Sequence, residues 1–103
     1  MAARARPLGG EGRFLLRVRG DSMVGDGIRD GDLVVVDPSP DARDGEVVVA
    51  LVDGEATVKR LRRRRGAVEL EASNPDYPTL RVEKGEAEII LAGRVVSLLR
   101  DRV

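Results

Sequence analysis

Asp53-Gly54 is the feature that most restricts what this chain can fold into. It stands between two strand-like runs, Val47-Val48-Val49-Ala50-Leu51-Val52 and Glu55-Ala56-Thr57-Val58-Lys59-Arg60-Leu61. An Asp-Gly pair accepts two successive positive-φ conformations, which is what the type I′ turn of a tight β-hairpin requires. A two-residue loop also fixes the register: 52 faces 55, 50 faces 57 and 48 faces 59. Side chains alternate, so Val48, Ala50, Val52, Thr57 and Lys59 share one face. A lysine is thereby set opposite a valine. It is either a solvated edge residue or, if that face is covered, an amine whose charged form is disfavoured.

The remaining runs are short and bounded by turn residues. Phe14 to Val18 alternates, with Phe14, Leu16 and Val18 on one face, and reads as a strand. Leu33 to Val36 is wholly apolar and reads as a buried strand. Asp37-Pro38-Ser39-Pro40-Asp41 ends it, because proline cannot donate to a ladder. Val68 to Glu71 and Leu80 to Val82 read as further strands, separated by a loop, Ala72 to Pro78. Glu88 to Gly93 and Arg94 to Arg100 read as two more, with a bend or bulge at Gly93. Glycines limit Asp26 to Gly31 to a single helical turn. Residues 1–13 are small, basic and glycine-rich, and are expected to form a flexible N-terminal arm. Residues 14–103 are then one domain, as the length of 103 residues suggests. The expected fold class is mainly β: a small, curled, partly open barrel with no long helix.

The chain has no His and no Cys. That excludes a Ser-His-Asp triad, a Cys-His dyad and a thiolate metal site. Ser22, in Gly20-Asp21-Ser22-Met23, lies between a strand and a glycine-rich turn. It is an ordinary turn serine or a nucleophile. A nucleophile needs a base, and arginine cannot serve because it stays protonated. Only Lys59 and Lys84 remain. Lys84 lies in a polar turn and reads as solvated. Lys59, if desolvated, fits the serine–lysine variant of the triad.

Formal net charge is zero with 35% charged residues. A nucleic-acid footprint should be strongly basic, whereas zero net charge is compatible with self-association. Arg60 to Arg65 holds five arginines. No aromatic residue interleaves them, so a solvated hairpin tip closing at Gly66 is favoured over a phosphate site. The lack of Cys rules out a disulfide framework and fits a cytoplasmic setting. No signal peptide is evident, and no apolar run approaches the ~20 residues of a membrane helix.

Four blocks in order carry a resemblance: Gly20-Asp21-Ser22-Met23, then Asp30-Gly31-Asp32-Leu33-Val34-Val35-Val36, then Asp44-Gly45-Glu46-Val47-Val48-Val49-Ala50, then Asp53-Gly54-Glu55-Ala56-Thr57-Val58-Lys59-Arg60-Leu61. With Ser22 and Lys59 37 positions apart, this resembles the self-cleaving serine–lysine peptidase domain of the LexA family, which also includes UmuD and lambda-type phage repressors. The resemblance runs from about Phe14 to Arg100 and implies a curled β fold. It implies Ser22 as nucleophile, Lys59 as general base and the backbone N–H groups of Asp21 and Ser22 as oxyanion donors. Thr57 would line the site, with Met23 bordering it from beneath the turn. No metal or cofactor is implied. The family cleaves its own chain at an Ala-Gly or Cys-Gly bond when stimulated by a RecA filament on single-stranded DNA. It dimerises through an edge that strand 94–100 resembles, and it binds DNA through an N-terminal domain absent from this sequence. An alternative within the resemblance is a UmuD-like subunit of a translesion polymerase, acting as an interaction module. No Ala-Gly or Cys-Gly precedes Ser22. Ala92-Gly93 falls in a strand-like region and reads as structural, so the sequence reads as a peptidase core without its own scissile loop.

Overall fold

The computed structural model describes residues 2–7 (backbone only), 12–39, 41–86 and 88–100. Among the described residues eight strands make up the fold: β1 Ala2–Pro7, β2 Phe14–Val18, β3 Leu33–Asp37, β4 Val47–Val52, β5 Glu55–Arg64, β6 Ala67–Glu71, β7 Leu80–Glu83 and β8 Ile89–Leu99. They form one antiparallel sheet in the order β1-β2-β3-β8-β4-β5-β6-β7. The sheet curls into an open half-barrel, and β1 comes near β5. The expected mainly-β, curled and partly open architecture is what forms.

The hairpin register is the one that Asp53-Gly54 dictates. Val48 pairs with Lys59, Ala50 with Thr57 and Val52 with Glu55. Both turn residues have positive φ, 48° at Asp53 and 85° at Gly54. β4 is buried on both faces. Val49 joins Leu16, Val18, Met23, Ile28, Val34, Val36 and Val58 in one core. Val48 and Ala50 join Ala42, Leu61 and Leu70 in the other. This is why residues 47–52 are apolar throughout rather than alternating.

Three expectations change. The arm expected over 1–13 contains a strand: Ala2–Pro7 pairs with β2. Backbone hydrogen bonds recruit it, and these need no apolar side chain. Residues 1 and 8–11 lie outside the described residues. The single helical turn forms earlier than expected, as a 3-10 turn at Val24–Asp26 that Gly27 closes at φ 79°. The two runs expected at the C-terminus are one strand, β8. Its first half pairs with β4, from Ile89 to Arg94. Its second half pairs with β3, from Arg94 to Leu99. The strand is therefore not a simple edge, as the dimerisation comparison had assumed.

Two irregularities let β8 change partners: the register slips once against β4 and once against β3. Gly93 sits at the crossing. A Cβ there would lie 2.3 Å from the Asp37 carbonyl oxygen and 2.7 Å from Val36 Cγ1. Only glycine lets the two backbones approach so closely. Gly93 is buried within the sheet, so Ala92-Gly93 is a structural pair, as its position in the sequence suggested.

Candidate active site

Ser22 lies in the long connection from β2 to β3. The ends of this loop are pinned by main-chain bonds, Val18 N–H to the Asp32 carbonyl and Gly31 N–H to the Val18 carbonyl, each 2.8 Å. Inside it, Gly20 (φ 86°) donates its N–H to Asp30 Oδ1 at 2.7 Å. Met23 enters the core and is only 1% exposed. It packs beneath the turn and does not line the cavity described below. This anchors the residue next to Ser22 by apolar burial, worth about 1.5–3 kcal/mol for a side chain of this size. Ser22 itself is 6% exposed.

Lys59 reaches Ser22 from β5. Its Nζ is 3.1 Å from Ser22 Oγ and donates to Thr57 Oγ1 at 2.7 Å. Thr57 and Lys59 are two apart on one strand and so point to the same side. The amine is half-buried, and Val48 opposite it and Ala50 opposite Thr57 have no exposed surface. Burial alone drives its pKa below the ordinary lysine value. Lys84 is exposed in a turn, so the structure brings only one of the two lysines to Ser22.

The pair opens onto a cavity of about 400 Å³ lined by Arg19, Gly20, Asp21, Ser22, Glu55, Ala56, Thr57, Lys59 and Tyr77. Asp21, Ser22 and Thr57, which the resemblance assigns to the site, line this cavity. Arg19, Glu55, Ala56 and Tyr77 were not foreseen.

The largest surprise is the loop after β6. β6 ends at Glu71, opposite Arg60, so the chain leaves the sheet one position short of Lys59 and turns toward Ser22. Ser73 N–H donates to the Ser22 carbonyl at 2.9 Å, and Gly25 N–H donates to the Ser73 carbonyl at 2.7 Å. Asp26 N–H reaches Ser73 Oγ at 3.1 Å. Asn74 Nδ2 donates to the Asp21 carbonyl at 2.9 Å, and the Tyr77 hydroxyl donates to Asp21 Oδ1 at 2.6 Å. The Asn-Pro pair marks a turn in the sequence, but nothing local says which surface that turn meets.

The arginine run is mostly engaged in pairing. Arg60 pairs with Asp26 at 2.8 Å, Arg62 with Glu71 at 3.5 Å and Arg64 with Glu69 at 3.2 Å. Arg63 donates to the Ala42 carbonyl. Arg65 begins the tip at Gly66. The hairpin closes at Gly66 as expected, but Arg60, Arg62, Arg63 and Arg64 lie on β5 rather than in a solvated tip. Among the described residues no cluster of His, Cys, Asp or Glu is suited to a metal ion, and no helix is long and apolar enough to cross a membrane.

A family model described as peptidase S24-like matches residues 4–96. The LexA repressor of Geobacter metallireducens is 46% identical over 89 residues, 86% of this chain and 44% of that protein. The LexA repressor of Burkholderia thailandensis is 51% identical over 87 residues, 84% of this chain and 40% of that protein. The chain thus spans less than half the length of these curated relatives.

Proposed function

The chain belongs to the peptidase S24-like family, and from that premise we propose that it is the self-cleaving serine–lysine peptidase domain of a LexA-type repressor. The observation that carries this reading is the 3.1 Å contact between Lys59 Nζ and Ser22 Oγ beside an open cavity.

With Lys59 neutral, its lone pair takes the Ser22 hydroxyl proton while one N–H stays on Thr57 Oγ1. Ser22 Oγ then attacks the carbonyl carbon of a peptide in the cavity. The N–H groups of Asp21 and Ser22 receive the developing oxyanion. The protonated amine of Lys59 next gives its proton to the leaving nitrogen, and water releases the acyl group from Ser22 by the same steps in reverse order. Thr57 orients the amine and Met23 supports the turn from below. No metal or cofactor takes part.

The substrate is a LexA-type segment with a small-residue–Gly bond, and cleavage is stimulated by a RecA filament on single-stranded DNA in the cytoplasm. Homodimerisation belongs to the same proposal. Val96, Leu98 and Leu99 of β8 are exposed, and among the described residues the pairing of β8 with β4 stops at Arg94. One flank of 95–99 is thus open to a second copy across a two-fold axis. DNA binding would fall to a region outside these residues.

The experiment is cleavage in trans at alkaline pH. The substrate is a longer LexA-type repressor whose own serine, at the position matching Ser22, is alanine. Cleavage by this chain that is lost in Lys59→Ala supports the dyad. A folded chain that cleaves nothing points instead to the UmuD-like interaction module.

A further inference from the structure

The loop from Ala72 to Tyr77 crosses to the other half of the sheet and holds both peptide groups that flank Ser22. Ser73 N–H takes the Ser22 carbonyl and Asn74 Nδ2 takes the Asp21 carbonyl, each at 2.9 Å. There is no cis peptide bond among the described residues. In a trans peptide, the carbonyl of one residue and the N–H of the next point in opposite directions within one plane. Fixing the Asp21 carbonyl therefore fixes the direction of the Ser22 N–H. Asp21 and Ser22 line the cavity, whereas Asn74 stands outside its lining. The carbonyl is bonded to Asn74, which is not among the lining residues, and the N–H opposed to it belongs to Ser22, which is.

We propose that Asn74 is a positioning residue for peptide cleavage: its side-chain amide holds the Asp21–Ser22 peptide so that the Ser22 N–H meets the oxyanion. The inference rests on the peptidase reading above and adds a residue to it. An oxyanion donor works because it is aimed before the charge develops, and the turn's own bond to the Asp21 carbonyl, from Val24 N–H, is long at 3.4 Å against 2.9 Å from Asn74.

Asn74 has two chemically separable ends. Oδ1 accepts the Asp76 N–H at 2.9 Å, and the main-chain oxygen accepts the Tyr77 N–H at 3.0 Å. These bonds shape its own loop. Only Nδ2 reaches Asp21. Aspartate at this position keeps the Oδ1 acceptor and loses the outward donor, whereas alanine loses both.

The test compares the unmodified chain, Ser22→Ala, Asn74→Asp and Asn74→Ala in trans cleavage of the serine-to-alanine LexA-type repressor. For each, kcat, KM, the midpoint of the pH–rate profile and the thermal midpoint are measured. Both Asn74 variants are expected to lose about tenfold to a hundredfold in kcat, with KM within about twofold. The pH–rate midpoint stays in place, and the thermal midpoint falls only for Asn74→Ala. Asn74→Asp turning over like the unmodified chain while Asn74→Ala fails would make Asn74 a shaper of its loop and overturn the proposal. A loss in Asn74→Asp accounted for by a displaced pH–rate midpoint would also overturn it, because the new charge would then act through Lys59. The peptidase reading fails by a different result: cleavage that persists in Ser22→Ala, or none by the unmodified chain, and the proposal falls with it.

Discussion

Val48 stands directly across from Lys59 in the β4–β5 pair, and none of its surface is exposed. This apolar neighbour, with no carboxylate among the described residues pairing the amine, is why burial alone lowers the pKa of Lys59. The rate of cleavage should therefore rise with pH to a plateau, with a midpoint below the ordinary lysine value of 10.5. Lys59→Arg should be inactive at every pH, because arginine stays protonated. A pH-independent rate from neutral to alkaline conditions would remove Lys59 as the base.

The same burial has a cost in stability. The folded state holds its proton on Lys59 less tightly than the unfolded state, so stability rises with pH between the lowered value and 10.5. Below that window the penalty is fully present. Lys59→Met, which keeps the stem and drops the charge, should raise the thermal midpoint near neutral pH while abolishing cleavage. The difference between the two proteins should shrink as pH approaches 10.5, which thermal melts across a pH series would reveal.

Gly93→Ala should strain the crossing of β8. Its Cβ would meet the Asp37 carbonyl at 2.3 Å, and backbone cannot swing aside as a side chain does. Overpacking of this kind costs about 1–3 kcal/mol or more. Urea unfolding followed by circular dichroism should show the lower midpoint.

Gly25→Ala makes a parallel clash, 2.3 Å from the Ser73 carbonyl, but in a loop. It should push Ser73 off the turn that carries Ser22. The expected outcome is a fall in kcat larger than the fall in thermal midpoint would suggest, because few core contacts are lost.

Asp32 gives an acid limb. Its carboxylate is 3% exposed and receives a two-pronged contact from Arg100, at 2.9 Å and 2.8 Å. That fork, together with the Arg29 N–H, holds its pKa below the ordinary 3.8. A depressed carboxyl stabilises the fold above its unfolded value and loses that contribution as pH falls through its folded value. Asp32→Asn should flatten the decline of stability below pH 3.8, as measured by acid-induced unfolding.

The sequence revealed what depends on near neighbours. Asp53-Gly54 set the register that puts Thr57 beside Lys59 and Val48 across from it. The missing histidine left lysine as the candidate base, and alternation placed Leu16 and Val18 inside. What it could not reveal depended on distant pairing. Nothing around Asn74 or Tyr77 says that their loop meets Asp21, more than fifty residues earlier. Nothing in 94–100 says that β3 lies on its flank, so the strand looked like an edge. The strand in 2–7 escaped notice because main-chain pairing leaves little trace in composition.

β8 is the seam of the sheet. β1 to β3, with Ser22 in the loop between β2 and β3, lie on one side of it; β4 to β7, with Lys59, lie on the other. Among the described residues, strand pairing joins the two halves only through residues 89–99. Ser22 and Lys59 both precede in sequence the strand that lies between their two halves of the sheet. On the proposed reading, a nascent chain holds the two parts of its proteolytic chemistry on separate halves of the sheet until β8 is made.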